Sequence, residues 1–299
     1  MEFILSCSAC IVKQVAQVAD ALNLDKDKAR DVLRLVLAQL SEADFSRSTP
    51  ALMGNMWDVL EAALGKRDVY EEIKAGYDRA VLAQLPALKV RIDQEPTDEA
   101  RFNRALLFAV CGNLIDLAAT DEFDVNSFFS KAEELGSEEA GRRAFAVDDR
   151  AALYKRLFGA GTLLYLGDNC GEIVTDKLFI QEMKRQFPAL KVYYAVKGQA
   201  VLNDVTHMDA EIAGMAEVAE VISNGGKAAG TVLCEVSDEF RRVFDAADVI
   251  ISKGQGNFEG LWPLEVKKDG IFFLLMAKCI SIAKIFGVEP MSLICRRAD

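Results

Sequence analysis

The sequence has little histidine and no long apolar run, and each shortage excludes a class of protein. Besides a lone Cys-x-x-Cys at Cys7 and Cys10 there is one histidine, His207, so a four-ligand zinc site would need scattered cysteines such as Cys111. No apolar run reaches the roughly 18 residues that a membrane span needs. No segment reads GxxxxGK[ST], so a P-loop kinase or ATPase has no support.

Positive charge is also scarce, because 35 Lys and Arg residues face 46 Asp and Glu residues and the net charge is -11. Proteins that bind nucleic acid without sequence preference, or anionic membranes, need a surplus of basic residues. We therefore expect neither a nucleic acid nor a membrane as partner. Seven cysteines, an odd number, favour reduced thiols over a disulfide framework. The first residues lack a basic segment and a cleavage site, which predicts a cytoplasmic protein.

The chain has ample apolar material for a core, with 299 residues of which 51% are hydrophobic. From residue 1 to about residue 120, apolar residues recur every three or four positions, which is typical of helices. Helical segments are predicted over 71–85 and 98–117, with Thr97 as the N-cap of the second. The charged segment 121–150 is interpreted as a solvated helix with connecting loops.

After residue 150 the pattern changes to short apolar runs separated by stretches of helical length. This alternation predicts βαβ units and a mostly parallel sheet. We therefore predict an α/β fold with two domains, a helical N-terminal region over 1–150 and an α/β domain over 151–299. The predicted strands are Leu163–Leu166, Val192–Val196, Val218–Ile222, Asp248–Ser252 and Ile271–Leu275.

Polar loops follow three of these predicted strands. They contain Asp168 and Asn169, then Lys197 with Asn203 and Asp204 further on, and finally Lys253 with Asn257 and Glu259. The carboxyl ends of parallel strands share one edge of a sheet, where ligands bind. Oxygen ligands from separate loops suit one hard cation, and lysines offer charge to a phosphate. A single Asp-Asn pair is commonly a simple turn, but three polar loops on one edge favour metal-assisted phosphate chemistry.

Several of these stretches resemble the signatures of a known family. GDNCGEIVTD, KGQAVLNDVTHMDA, ISNGGKAAGT and ADVIISKGQGNFEGL are similar, in order and roughly in spacing, to those of the metal-dependent damage-control phosphatase family, domain of unknown function eighty-nine. Lys278-Cys279 also fits. The first half agrees more loosely, since Cys7 and Cys10 resemble the CxxC of the prokaryotic-type branch, and Asp68-Val69-Tyr70 with Lys74 resembles a DPY segment followed by Lys.

The resemblance implies a Rossmann-like three-layer α/β/α core preceded by an all-α region. It implies a divalent cation (Mg, Mn, Co or Ni) and hydrolysis of phosphate from small metabolites such as sugar phosphates or phosphopantetheine-like compounds. The implied metal ligands are Asp168, Asn169 and Asp204. The resemblance also implies that Glu172, Asn203, Lys253 and Asn257 lie near the cation or the phosphate. The polar loops add Lys197 and Glu259 as predicted substrate-binding residues.

Two departures from the family pattern are visible. Cys170 stands where the family more often has Ala, and Val69 replaces the Pro of DPY. On this assignment Asp168 and Asn169 act with the cation, while Lys253 counters charge on the phosphoryl oxygens. Attack by water is favoured slightly over a covalent intermediate on Asp168, and the sequence leaves both open.

Three other functions compete with this interpretation. Gly254 opens a GxGxxxG stretch typical of dinucleotide-binding oxidoreductases, but no acidic residue ends a strand about 20 residues on, where a ribose partner is expected. A carboxyl methyltransferase and a non-catalytic phosphometabolite-binding protein remain alternatives.

For Cys7 and Cys10, thiols on an early helical turn are favoured over a zinc site. His207 is expected on a helix surface. The physiological substrate, the native metal and the oligomeric state are left open.

Overall fold

The N-terminal half of the chain folds into helices, as its periodicity predicts. The computed structural model describes residues 1–66, 68–112, 130, 134, 145–263 and 268–298. Thr97 caps the sixth helix as predicted, because its Oγ1 accepts a hydrogen bond of 3.1 Å from the Ala100 amide. The helices are α1 (Cys7–Ala21), α2 (Lys26–Ser41), α3 (Thr49–Leu64), α4 (Glu71–Leu82), α5 (Leu85–Asp93) and α6 (Asp98–Cys111).

The second half alternates strands and helices, with a short 3-10 turn at Met215–Glu217. The strands are β1 (Phe145–Asp148), β2 (Thr162–Leu166), β3 (Lys191–Val196), β4 (Glu220–Ser223), β5 (Val249–Lys253), β6 (Ile271–Met276) and β7 (Leu293–Arg297). The helices are α7 (Arg150–Leu157), α8 (Glu172–Gln186), α9 (His207–Ala213), α10 (Asp238–Ala246), α11 (Gly254–Leu261) and α12 (Ile280–Phe286).

The seven strands form one sheet in the order β1-β7-β6-β5-β2-β3-β4, in which only the β6–β7 pair is antiparallel. The predicted α/β fold with a mostly parallel sheet is therefore confirmed. From β2 the chain continues outward to β3 and β4, and it then returns to the other side of β2 to form β5 and β6. The carboxyl ends of β2 and β5 thus flank the point where strand order reverses, which is the usual ligand position in such sheets.

Helices cover both faces of the sheet. On β2, Leu163 and Tyr165 pack into one hydrophobic cluster, while Leu164 and Leu166 pack into another. The first cluster includes side chains of α6 and α8, and the second includes side chains of α10, α11 and α12. Because successive side chains of a strand point to opposite faces, this arrangement gives the three-layer α/β/α core that the resemblance implies.

Several elements differ from the predictions. The helix expected over 71–85 is two helices, α4 and α5, and the strand expected over 218–222 lies at 220–223. Strands β1 and β7 were not predicted. Most of the charged segment 121–150 lies outside the described residues.

Only part of the N-terminal region has a core of its own. Helices α1, α2 and α3 form a separate hydrophobic cluster with Val201 and Ala229, whereas α6 packs into the core of the sheet. Strand β1 also precedes residue 150, so the division into two domains at this position stays a prediction. Among the described residues, no helix combines the length and the apolar character that crossing a membrane requires.

Candidate active site

The first polar loop at the sheet edge follows β2. The buried strand leads through Gly167 into Asp168 and Asn169, whose side chains are both nearly inaccessible to solvent. Gly171, with φ at +71°, then turns the backbone into α8, a conformation that glycine adopts without steric cost. Asn169 donates a hydrogen bond of 3.0 Å from Nδ2 to Asp168 Oδ2. The two side chains are therefore held beside each other at the carboxyl end of β2.

The loop that follows β3 pairs with this first loop. Asn169 and Asp204 form an isolated antiparallel bridge, and the Val205 amide donates a hydrogen bond of 2.9 Å to the Asp168 carbonyl oxygen. Asp204 is also buried. The structure thus brings together Asp168, Asn169 and Asp204, the three residues predicted as metal ligands.

A cavity of about 190 Å³ opens over this pair of loops. Asp168, Asn169, Asn203 and Asp204 line it from the sheet side, and Glu259 lines it from α11. Helices α1 and α3 of the N-terminal region supply further wall residues. The cavity therefore lies between the carboxyl edge of the sheet and the helical region.

The cavity floor concentrates negative charge. Burial raises the pKa of the Asp168 carboxyl well above its ordinary value, and the nearby charges of Glu172 and Asp204 raise this pKa further. Lys278 and Lys197 act in the opposite direction. A bound cation would offset this crowding of carboxylates, because an opposite charge stabilises the ionised form.

The chemistry of the donors fits a hard divalent cation, which prefers carboxylate and amide oxygens. Across the described residues, no three His, Cys, Asp or Glu side chains are arranged to hold a metal ion. The donor set at this edge is instead two carboxylates, Asp168 and Asp204, with the amide of Asn169. Such a set leaves coordination positions for water and a phosphate.

Lys197 and Asn257 lie outside the cavity and contact the loops that form it. The Lys197 ammonium donates a hydrogen bond of 3.1 Å to Asn257 Oδ1 and lies 3.4 Å from Asp204 Oδ2. The Asn257 amide donates 3.0 Å to the Gly167 carbonyl oxygen and 2.7 Å to that of Lys253. Both side chains are buried, and neither is among the described residues that line the cavity.

Lys253 occupies a different place from the one expected. Its ammonium is fully buried and donates to the Ala109 carbonyl oxygen at 2.8 Å, to Asp176 Oδ1 at 2.7 Å and to Glu172 Oε1. Burial raises the pKa of Asp176 to about 6 despite this contact with Lys253. Lys253 and Glu172 therefore join β5, α6 and α8 beneath the loops, and neither lines the described cavity. This differs from the expectation that Lys253 faces the phosphate.

The lysine that lines the cavity is Lys278. It follows β6, which lies beside β5, so it reaches the same sheet edge as the other polar loops. The sequence carried a signal for this position, because Lys278-Cys279 fits the family pattern and follows a predicted strand. Gln255, at the start of α11, also lines the cavity and was not singled out.

Two polar side chains of the cavity, Asn203 and Glu259, are buried and differ in their hydrogen bonding. The Asn203 Nδ2 group has no hydrogen-bond acceptor among the described residues, although the side chain is only 4% exposed. Glu259 Oε1 accepts a hydrogen bond of 2.8 Å from Gln255 Nε2, and burial raises the pKa of Glu259. Asn203 thus offers a donor to a ligand in the cavity, and Glu259 offers a carboxyl group whose ionised form burial disfavours.

Cys7 and Cys10 lie on the first turn of α1, as expected, and both line the cavity together with Cys279. Burial raises the pKa of Cys7 to about 11 and raises that of Cys10. Burial therefore disfavours the thiolate form of Cys7 and Cys10. His207 is exposed at the start of α9, which confirms its expected place on a helix surface.

Comparison with known proteins agrees with this geometry. Residues 4–294 match the family described as the Damage-control phosphatase ARMT1-like domain. A damage-control phosphatase of Pyrococcus horikoshii is 31% identical over 97% of this chain and 96% of its own. One of Archaeoglobus fulgidus is 29% identical over 97% of each chain.

A solved structure extends the likeness to the fold. The crystal structure of a DUF89 family protein from Pyrococcus horikoshii matches 100% of both chains, with a TM-score of 0.88 and 29% sequence identity. The sequence resemblance, the matched region and the shared fold agree over nearly the whole length. The chain therefore belongs to the family of the damage-control phosphatase ARMT1-like domain.

Proposed function

We propose that this chain is a divalent-metal-dependent phosphatase that hydrolyses phosphate monoesters of small metabolites, with a role in metabolite damage control. Family membership supports this activity, since two relatives similar over nearly their whole length are named damage-control phosphatases. The observation that carries the proposal is the convergence of Asp168, Asn169 and Asp204 on one buried cavity at the reversal point of the sheet.

In this proposal the oxygen atoms of Asp168, Asn169 and Asp204 hold the cation, which is Mg, Mn, Co or Ni. When bound, the cation supplies Lewis-acid polarisation of a phosphoryl oxygen. Carboxylate and amide oxygens accept several of these metals, so availability decides among them.

The other cavity residues have roles toward the phosphate. Lys278 supplies a positive charge that attracts the anion and stabilises charge on its oxygens. Asn203 supplies a buried N–H donor for one phosphoryl oxygen. The first turn of α11 reaches the cavity through Gln255 and Gly256, and helix N-termini favour anions.

The size of the cavity favours small substrates. Pockets that enclose drug-sized ligands measure about 300–1,000 Å³, whereas this cavity measures about 190 Å³. A phosphate with a short organic part therefore fits better than a nucleotide. Sugar phosphates, or the phosphate end of phosphopantetheine-like compounds, are the proposed substrates.

We expect water to attack the phosphorus directly. Asp168 Oδ2 already accepts a hydrogen bond from Asn169, which favours a holding role for this carboxylate over a nucleophilic one. The alternative is a covalent intermediate on Asp168. The stereochemistry of transfer from a chirally labelled phosphate ester distinguishes them, because a single direct attack inverts the configuration at phosphorus and two successive displacements retain it.

The activity is tested by measuring phosphate release from a panel of phosphate esters with Mg²⁺, Mn²⁺, Co²⁺ or Ni²⁺. We expect turnover that a chelator stops, and a loss of about three orders of magnitude in kcat/KM for Asp168→Ala, since catalytic metals contribute several kcal/mol. The exposed substitution His207→Gln is the control and should retain activity across the pH range.

Other outcomes would point to the alternative functions. Chelator-resistant turnover, or full activity in Asp168→Ala, contradicts the proposal. Methyl transfer from adenosylmethionine would instead indicate a carboxyl methyltransferase. Binding of phosphate esters without turnover would indicate a non-catalytic binding protein.

A further inference from the structure

A buried carboxyl group of the helical region contacts the loop that carries Asp168. Asp78, on α4, is fully buried, and its Oδ1 accepts a hydrogen bond of 2.5 Å from the Gly171 amide. Gly171 follows Asn169 by two residues and begins the turn into α8. Asp78 therefore fixes the far end of the first loop from a position 93 residues earlier in the chain.

A second buried carboxyl group fixes the other loop. Asp209 Oδ2 accepts hydrogen bonds of 2.7 Å from both the amide and the hydroxyl of Thr206, which caps α9. Thr206 follows the predicted ligand Asp204 by two residues. Asp209 thus sets the point at which the second loop ends.

The buried ammonium of Lys74 joins these contacts. It lies 2.9 Å from Asp209 Oδ2 and 3.0 Å from Asp68 Oδ2. Two carboxylates therefore already outnumber the one positive charge before Asp78 is counted. A third ionised carboxyl group here would be a buried excess of negative charge, which is strongly unfavourable.

Asp78 and Asp209 are within hydrogen-bonding reach of each other. Asp78 Oδ2 and Asp209 Oδ1 have no donor among the described residues when both groups are ionised. Burial, together with the charge of Asp209, raises the pKa of Asp78 to about 8, although the hydrogen bond from the Gly171 amide acts in the opposite direction. One proton between these two oxygens satisfies both and cancels one of the buried negative charges.

We infer that Asp78 and Asp209 form a positioning pair, in which a shared proton and the Gly171 and Thr206 contacts hold the two loops of the candidate site in register. The consequence for catalysis rests on the proposed function, since the loops carry the proposed ligands. Helix α4 is then part of the framework of the site, although neither carboxyl group lines the cavity. Outer residues of this kind orient metal ligands in many proteins.

Two substitutions at Asp78 separate its hydrogen bonds from its charge. Asp78→Asn keeps an acceptor for the Gly171 amide and places an N–H group toward Asp209. Asp78→Ala removes both contacts. Val81→Ala is the matched control, because Val81 is fully buried on the same helix and contributes only to the hydrophobic cluster.

The first measurement is hydrogen exchange by mass spectrometry on the metal-free protein, over peptides that contain Gly171. The second is the Kd for Mn²⁺ by electron paramagnetic resonance. For Asp78→Ala we expect faster exchange around Gly171 and Mn²⁺ binding weakened by about 10–100-fold, the range for residues that orient ligands. Asp78→Asn should match the unsubstituted protein in both, and Val81→Ala should keep the Mn²⁺ affinity.

Wild-type exchange and affinity in Asp78→Ala would overturn the inference, as would equal impairment in Asp78→Asn. If Asp78→Ala does not fold, Asp78→Ser serves the same comparison, since it leaves room for water at the vacated position. Should the unsubstituted protein bind none of Mg²⁺, Mn²⁺, Co²⁺ and Ni²⁺, the proposed function fails, and the exchange rates of the metal-free variants still decide the role of Asp78.

Discussion

The backbone of Gly254 lies directly against the carboxylate of Asp168. A β-carbon on Gly254 would come within 1.8 Å of Asp168 Oδ2 and 2.0 Å of its Cγ, distances that no side chain tolerates. Gly254 also has φ at +75°, which favours glycine. The first residue of α11 therefore has to be glycine for Asp168 to occupy its place beside Asn169.

We predict that Gly254→Ala displaces the Asp168 carboxylate and lowers kcat/KM by about 100-fold, the effect of a misplacement near 1 Å. The matched control is Gly65→Ala, because Gly65 has φ at +67° but no atom within 4 Å of an added β-carbon. Both variants should lose about 1–2 kcal/mol of stability from backbone strain. Steady-state kinetics and thermal denaturation of the two variants check this prediction. Equal kcat/KM values for Gly254→Ala and Gly65→Ala would show that the added β-carbon does not displace Asp168.

Lys278 and Lys253 should respond differently to removal of their charge. Lys278 lines the cavity, so Lys278→Gln should lower kcat/KM by about 10–100-fold, since a hydrogen bond to a charged group contributes about 1.5–3 kcal/mol. Its melting temperature should change less than that of Lys253→Met. The measurements are steady-state kinetics and thermal denaturation.

Lys253→Met should instead destabilise the protein by about 3–5 kcal/mol, because Glu172 and Asp176 would remain buried without their cation. Denaturant unfolding measures this loss. If the Met variant were stable and only its catalysis failed, Lys253 would act on the phosphate, as the sequence suggested, and the structural role argued for it would be wrong.

The strand-and-loop pattern was enough to find the edge of the sheet where the site lies. Short buried strands ending in polar residues predicted that Asp168 and Asp204 would meet, because parallel strands end at a common edge. Strands β1 and β7 escaped prediction because each is short and lies at or next to the end of the sheet, and β7 carries two arginines.

The face of the sheet to which the Lys253 side chain points could have been predicted from the sequence. Val249 and Ile251 of β5 pack against the face covered by α6 and α8, and Lys253 shares that face by the two-residue repeat of a strand. Its partners Glu172 and Asp176 were not predictable, because they lie some 80 residues away in the chain. The Asp78–Gly171 contact was not predictable for the same reason, since contacts between elements that are distant in the chain leave no local pattern in the sequence.

Asp168 should limit the stability of the metal-free protein. Burial and the charges of Glu172 and Asp204 raise its pKa well above the ordinary value, so its ionised form is unfavourable without a cation. We predict that Asp168→Asn raises the melting temperature at pH 8 in the presence of a chelator. Added Mn²⁺ should stabilise the unsubstituted protein by mass action but not the variant. An equal Mn²⁺ shift in both proteins would place the metal elsewhere.

Asp78 should make the stability of the protein depend on pH. Its pKa is raised from 3.8 to about 8, so between these values the folded state holds a proton that the unfolded state has released. Stability therefore falls as pH rises through this window, by up to about 1.4 kcal/mol per pH unit. Lys74, Asp68 and Asp209 face this group and remain in the variant described next.

Asp78→Asn removes the titrating group while keeping its hydrogen bonds, so its stability should fall less steeply between pH 5 and 7.5. Urea unfolding of both proteins at several pH values gives the slopes, and their difference should approach one proton per molecule. Other buried acids with raised pKa, such as Glu259, contribute equally to both proteins and cancel in the difference. Parallel slopes would mean that Asp78 is ionised in the folded protein, and the shared proton would then be wrong.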